Sequence, residues 1–229
     1  MERSKAIIFD LDDTLYPERA FVVSGFGAAA AWLSTQVDVP AAQCAGGLVD
    51  LFEAGVRGRT FDAWLDRAGL PQELVSGMVL AYRVHTPVIS LYEDVIPTFT
   101  SFSHAGFLLG LLTDGYADVQ TRKIASLNIR SWFHAVTLSD DLGRHCWKPS
   151  PVPFRRTLDR LGVLGREAVY VADNPEKDFL GARAAGLESI RLRRAGGLYS
   201  EREPATADAA PDAEIQSLSE FAGIFSRSS

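Results

Sequence analysis

Cysteine is nearly absent from this 229-residue chain. Its two copies, Cys44 and Cys146, stand in unrelated contexts with no C-x-x-C spacing, so neither a disulfide framework nor a thiolate metal site is expected. Histidine is scarce as well, and His85, His104, His134 and His145 lack the spacing of metal ligands. No apolar run approaches the roughly 18–20 residues that span a bilayer, so no membrane segment is expected. Nor is there an excess of positive charge. The net charge of −6 weighs against nucleic acid as the main partner, although a local basic patch could bind a small anion. Met1-Glu2-Arg3-Ser4-Lys5 runs straight into the first apolar segment without a signal-type hydrophobic region, which makes the cytoplasm the expected location.

What is present is ordinary globular composition, 47% hydrophobic and 23% charged, in a chain long enough for one α/β domain with a sizeable insertion. Short apolar runs at Ala6–Phe9, Phe107–Leu112, Ala135–Leu138, Ala168–Ala172 and Ser189–Leu192 read as buried strands. Helical spacing falls between the later ones, at Val95–His104, Asp118–Leu127, Pro151–Leu161 and Pro175–Ala185. That alternation predicts a doubly wound, Rossmann-like parallel sheet. Residues 16–91 break the rhythm with helical stretches alone, at Arg19–Val37, Ala41–Val56, Phe61–Ala68 and Gln72–Val84. The expected organisation is a core of residues 1–15 and 92–229 with an all-helical cap, residues 16–91, inserted after the first strand. A loop from Arg193 to Glu214 and a final helix over Ile215–Phe225 complete the expectation.

The first strand candidate ends in Asp10-Leu11-Asp12-Asp13-Thr14. In extended backbone Asp10 and Asp12 project the same way, roughly 6–7 Å apart. Like charges so placed raise each other's pKa unless a proton or a cation offsets them, so a metal is the first thing to look for.

Three later strand ends carry polar residues that parallel strands would bring to the same edge of the sheet. Thr113-Asp114-Gly115 supplies a hydroxyl and tight-turn N–H groups able to cradle a phosphoryl oxygen. Pro149 restricts the backbone of Lys148 and so aims one ammonium. Asp173-Asn174-Pro175-Glu176-Lys177-Asp178 supplies carboxylates for a hard cation and opens a helix.

These four motifs in this order resemble the haloacid dehalogenase superfamily of magnesium-dependent phosphohydrolases. The Asp-x-Asp-x-Thr motif is matched by Asp10, Asp12 and Thr14, the strand-closing Thr by Thr113, the Lys by Lys148, and the paired acids by Asp173 and Asp178. Ala172 stands where a Gly is common, and His145-Cys146-Trp147 replaces small or polar residues; Trp147 is expected to pack rather than react. The resemblance implies in-line phosphoryl transfer to Asp10, with Asp12 as general acid and base. Thr113, Asp114 and Lys148 would bind the phosphoryl group. Mg²⁺ would be held by the Asp10 carboxylate, the Asp12 backbone carbonyl and Asp173, with Asn174 and Asp178 behind them. Thr14 would order the loop by hydrogen bonds, and Asp13 would be a solvated turn residue. The partner implied is a small phosphorylated molecule such as a nucleotide, a sugar phosphate or phosphoglycolate, and the assembly a monomer or homodimer. Asp12 argues against a dehalogenase, whose departing halide needs no proton; a phosphomutase or a catalytically silent binding protein stays open.

Overall fold

The computed structural model describes residues 5–221. The chain forms two compact units, one built from the residues up to Glu18 together with those from Ser90 onward, the other from Arg19–Ile89.

The first unit is organised by six parallel strands: β1 (Ala6–Phe9), β2 (Leu108–Thr113), β3 (Ala135–Leu138), β4 (Ala168–Ala172), β5 (Glu188–Leu192) and β6 (Ala213–Ile215). Their order across the sheet is β3-β2-β1-β4-β5-β6. After β1 the chain steps to one side for β2 and β3, then returns to the other side for β4 and β5. The order therefore reverses beside β1, and that is where open parallel sheets leave a crevice at the strands' carboxyl ends. Asp10 follows β1, Thr113 closes β2 and Asp173 follows β4, so all three reach that edge.

Both faces of the sheet are covered, which is why its central strands are continuously apolar. Successive residues of β1 serve opposite layers. Ala6 and Ile8 pack with Phe154, Leu158 and Leu161 of α7 (Val152–Leu161) and with Phe179 and Ala182 of α8 (Phe179–Ala184). Phe9 instead sets its ring 5.3 Å from that of Phe99 on α5 (Val95–His104). Burying such a ring is worth roughly 1.5–3 kcal/mol, so a polar residue at position 9 would loosen the strand that carries Asp10. The helix after β2, α6 (Ala117–Ser126), starts just beyond the Thr113-Asp114-Gly115 turn.

Two expectations for the core are corrected. Residues Ala213–Ile215, expected to be loop and the start of a helix, form β6 instead, with Ile190, Arg191 and Leu192 as partners on β5. Ala213 and Glu214 are exposed, so this edge strand is fixed by backbone pairing and leaves little apolar signature. Helix follows only from Leu218 to Phe221, and residues 222–225 of the expected helix lie outside the described residues. The second correction is α8, which begins at Phe179 rather than Pro175. Asn174 Oδ1 accepts the Glu176 N–H at 2.9 Å, a side-chain turn that holds this stretch out of the helix.

The second unit contains α1 (the residues of Glu18–Leu33 from Arg19 on), α2 (Ala41–Glu53), α3 (Thr60–Ala68) and α4 (Val75–Val84), with a short 3-10 turn at Gln72–Leu74. Phe21, Phe26, Phe61 and Tyr82 form its aromatic centre, in edge-on and tilted contacts. The ring of Trp32 sits where a side chain on Gly77 would be, so α1 and α4 can approach closely only with glycine there. No described helix is long and apolar enough to cross a membrane.

Candidate active site

At the end of β1 the Asp10 side chain is buried, and its two oxygens have different surroundings. Oδ1 accepts from Lys148 Nζ at 2.5 Å, while Oδ2 is buried without a hydrogen-bond partner among the described residues. Burial pushes the Asp10 carboxyl up to about 6, against the pull of Lys148 and with a further push from Asp178.

Lys148 reaches this point from the segment after β3. Its N–H donates to Asp114 Oδ1 at 3.2 Å, and its ammonium also donates to Asp178 Oδ1 at 2.7 Å and Tyr170 Oη at 2.9 Å. Burial alone would favour the neutral amine, but Asp10 and Asp178 more than offset it and hold the ammonium charged.

Carboxylate oxygens of Asp10, Asp173 and Asp178 lie within 4.8 Å of one another. Burial, then Asp10 and Asp178, pushes the Asp173 carboxyl well above its ordinary range. Buried carboxylates crowded so that the Asp10 and Asp173 carboxyls are both pushed up, one of them with an oxygen that has no partner among the described residues, are a donor set suited to a hard divalent cation. Asp178 is the most committed of the three, since its Oδ1 also accepts from Tyr170 Oη and its Oδ2 from the Asn174 N–H at 3.1 Å.

Thr113 is fully buried and its Oγ1 accepts from Gln120 Nε2 at 2.5 Å, which leaves its own O–H proton available to a ligand oxygen. Asp12 turns its carboxylate to α6: Lys123 Nζ donates to Oδ1 at 2.7 Å and Gln120 Nε2 to Oδ2 at 2.9 Å, and Tyr16 Oη also bonds Oδ1. Burial would raise the Asp12 pKa; the charge of Lys123 and the hydrogen bonds from Lys123, Tyr16 and Gln120 overcome it and hold the group below the usual carboxylate range.

A buried carboxylate, a buried ammonium, a hydroxyl and an acidic cluster thus meet at one sheet edge. The sequence matches the model of the haloacid dehalogenase-like hydrolases over residues 4–186. The chain belongs to that family. It is 36% identical over 228 residues to a glyceraldehyde 3-phosphate phosphatase of Methanopyrus kandleri, covering 92% of each chain. Among solved structures it resembles a HAD phosphatase from Thermococcus onnurineus, at TM-score 0.65 and 25% identity, covering 96% of this chain and 97% of that one. It also resembles a 2-haloacid dehalogenase from Pseudomonas syringae pv. Tomato DC3000, at TM-score 0.66 and 28% identity, covering 98% and 99%.

In this haloacid dehalogenase-like hydrolase the loop after β1 is ordered differently from expectation. Asp13 is buried rather than solvated. It adopts φ +51°, and its two oxygens accept the N–H groups of Glu18 and Leu198, each at 2.7 Å. Thr14 Oγ1 is buried with no hydrogen-bond partner among the described residues, so its hydroxyl does not order the loop. That work falls to Asp13 and to Arg194, which donates to the Thr14 carbonyl at 3.3 Å while pairing with Asp94. Asp114 holds the Lys148 backbone in place, and Asn174 shapes the turn before α8. Trp147 is half-buried, its ring edge-on to Tyr116 and its N–H on Asp140 at 3.1 Å.

Several residues at the site escaped the sequence reading: Tyr16, Glu18, Gln120, Lys123, Tyr170 and Arg191. Burial and the charge of Asp12 push the Glu18 carboxyl up to about 7. The signals for Tyr170 and Arg191 were there, a hydroxyl inside an otherwise apolar strand and a guanidinium between Ile190 and Leu192.

Proposed function

We propose that this hydrolase is a magnesium-dependent phosphomonoesterase acting on a small phosphorylated metabolite through an aspartyl-phosphate on Asp10. The observation that carries the reading is the divided Asp10 carboxylate, one oxygen fixed by Lys148 and the other buried with no partner among the described residues. A group so held is positioned to attack and needs no reorganisation to do so. The relative from Methanopyrus kandleri bears the name of a phosphatase of a small phosphorylated aldehyde, which agrees in kind.

In the first step Asp10 Oδ2 forms a bond to phosphorus while the bond from phosphorus to the leaving oxygen breaks. Asp12, once protonated, delivers its proton to the leaving alkoxide. In the second step the Asp12 carboxylate takes a proton from water, whose oxygen attacks phosphorus and frees Asp10. The resting contacts of Asp12 with Lys123 and Gln120 suit the ionised form that this second step requires. Thr113 O–H and Lys148 would stabilise the equatorial oxygens. Asp10 and Asp173, with the Asp12 backbone carbonyl, would hold Mg²⁺, which supplies charge neutralisation between carboxylate and phosphoryl oxygens. Asp178 keeps Lys148 in place. A proton donor at position 12 favours phosphate esters over halides. The helical unit Arg19–Ile89 is read as the cap that chooses among substrates, because the chain departs into it shortly after the nucleophile.

The test is phosphate release, with and without magnesium, from a panel of nucleotides, sugar phosphates, phosphoglycolate and triose phosphates. Asp10→Asn is the control. Turnover that survives this substitution, or that ignores magnesium, would sink the reading.

A further inference from the structure

We infer that Gln120 and Lys123 are positioning residues that lock the Asp12 carboxylate in register with Thr113, making proton delivery to the leaving group depend on α6. The inference rests on the phosphomonoesterase reading and adds to it the two residues through which Asp12 is aimed.

Gln120 and Lys123 are three residues apart on α6 and share one helix face. Both are buried, with Gln120 1% and Lys123 5% exposed. Helices seldom bury a lysine or a glutamine unless each polar group is paired, because desolvation costs more than the aliphatic stem regains. Here both are paired with the same carboxylate. Lys123 Nζ takes Asp12 Oδ1 at 2.7 Å and Gln120 Nε2 takes Oδ2 at 2.9 Å, so neither oxygen can rotate without breaking a bond.

Gln120 does a second thing. The same Nε2 donates to Thr113 Oγ1 at 2.5 Å, so one NH₂ group spans the proton-transfer carboxyl and the phosphate-binding hydroxyl. A carboxylate only accepts, so the amide must present its nitrogen here, and its two hydrogens match its two acceptors. The helix begins directly after the turn that carries Thr113. The spacing between hydroxyl and carboxyl is thereby set by one rigid element rather than by two independent loops, the kind of support that keeps a reacting group within tenths of an ångström of its line of action. Asp114 ties the same turn to Lys148.

The roles predict a signature that depends on the leaving group. Formation of the aspartyl-phosphate, read by kcat/KM, needs the Asp12 proton only when the leaving oxygen is a poor one. Hydrolysis of the aspartyl-phosphate, which contributes to kcat, needs Asp12 whatever the substrate was. Gln120→Leu, Gln120→Asn and Lys123→Met are compared with the native enzyme at saturating magnesium on glycerol 3-phosphate and on p-nitrophenyl phosphate. Thermal melting of each variant checks the fold. General acid catalysis is worth roughly 10²–10⁴-fold, and misaligning the acid should forfeit about 10- to 100-fold of it. The expected result is that loss in kcat/KM for the alkyl ester, less than about threefold for the aryl ester, and a lower kcat for both. Lys123→Arg, which keeps the cation, should recover most of the alkyl ester rate.

Should Gln120→Leu fail to fold, Gln120→Asn keeps an amide on the helix and carries the same expectation. Equal loss of kcat/KM on both esters overturns the inference, as does no loss in a folded variant. Native enzyme that releases phosphate from neither ester nor any member of the substrate panel overturns the phosphomonoesterase reading and this inference with it, whereas equal loss leaves that reading standing.

Discussion

Lys148 Nζ lies 2.5 Å from Asp10 Oδ1, and both side chains are closed off from water. The same ammonium is 2.7 Å from Asp178 Oδ1, so one cation serves two buried carboxylates that would otherwise repel. Truncating one partner of a buried ion pair usually costs more than the pair contributes, because a charge is stranded.

Lys148→Met should therefore destabilise the metal-free protein by about 3–5 kcal/mol, measured by urea unfolding. Adding magnesium should recover part of the loss, since a divalent cation at the acidic cluster would relieve the same repulsion. Equal midpoints for variant and native protein without magnesium would show that the pair does not govern stability.

The pH dependence follows from the Asp10 carboxyl, pushed up to about 6 by burial. Its folded value lies above the unfolded one, so between about pH 4 and pH 6 the unfolded chain gives up this proton first. The contribution of Asp10 to stability is thus largest in acid and falls as pH rises through that window. Asp10→Asn carries no such charge. The metal-free variant should be more stable than the native protein at pH 7.5, on the order of 2–3 kcal/mol, with the advantage gone by pH 4. Urea unfolding of both proteins across this range decides it; a constant difference between them would refute the assignment.

These two predictions concern residues that were legible in the sequence, and the reason is topological. Buried parallel strands must be apolar throughout, so Ala6–Phe9, Ala135–Leu138 and Ala168–Ala172 stand out with their observed bounds, and the polar residues Asp10 and Asp173 mark where two of them end. β6 did not stand out, because an edge strand with exposed Ala213 and Glu214 needs no apolar pattern. Gln120 and Lys123 were opaque for another reason: their partner Asp12 is more than a hundred residues away, and only the folded sheet places α6 beside the end of β1. Asp13 was misread because Asp, Thr and turn residues look alike in sequence, whereas burial of its carboxylate depends on the distant N–H of Leu198.

A tight backbone approach gives the third prediction. A Cβ on Gly181 of α8 would lie 2.6 Å from the Pro149 carbonyl oxygen and 2.6 Å from the Phe154 ring. Pro149 follows Lys148 directly, so the strain of Gly181→Ala would be passed to the residue that holds Asp10. Overpacking of this kind costs about 1–3 kcal/mol. Melting should fall accordingly, and kcat should fall at saturating substrate as the ammonium is displaced. A variant with native melting and native kcat would mean that α8 does not brace the lysine.

Arg191 offers the last test, of support given to Asp173, a proposed metal ligand, through its backbone. On β5 its guanidinium is wholly buried, donating from Nε to the Asp173 carbonyl at 3.2 Å and from Nη2 to the carbonyls of Tyr199 and Arg202 at 2.9 and 2.6 Å. Glu214 on β6 lies 3.5 Å from Nη1, so the arginine joins the edge strand, the 199–202 segment and the end of β4. Lysine cannot reproduce this fork, because its single ammonium lacks the planar, divergent donors. Arg191→Lys should unfold more easily by about 1–3 kcal/mol, since the Asp173 carbonyl is left buried without its donor. Its half-saturating magnesium concentration should rise several-fold as Asp173 loosens, while kcat at saturating magnesium changes much less. Titrating magnesium by calorimetry or by activity distinguishes this from general damage: a folded variant with native magnesium affinity would show that Asp173 is held without Arg191.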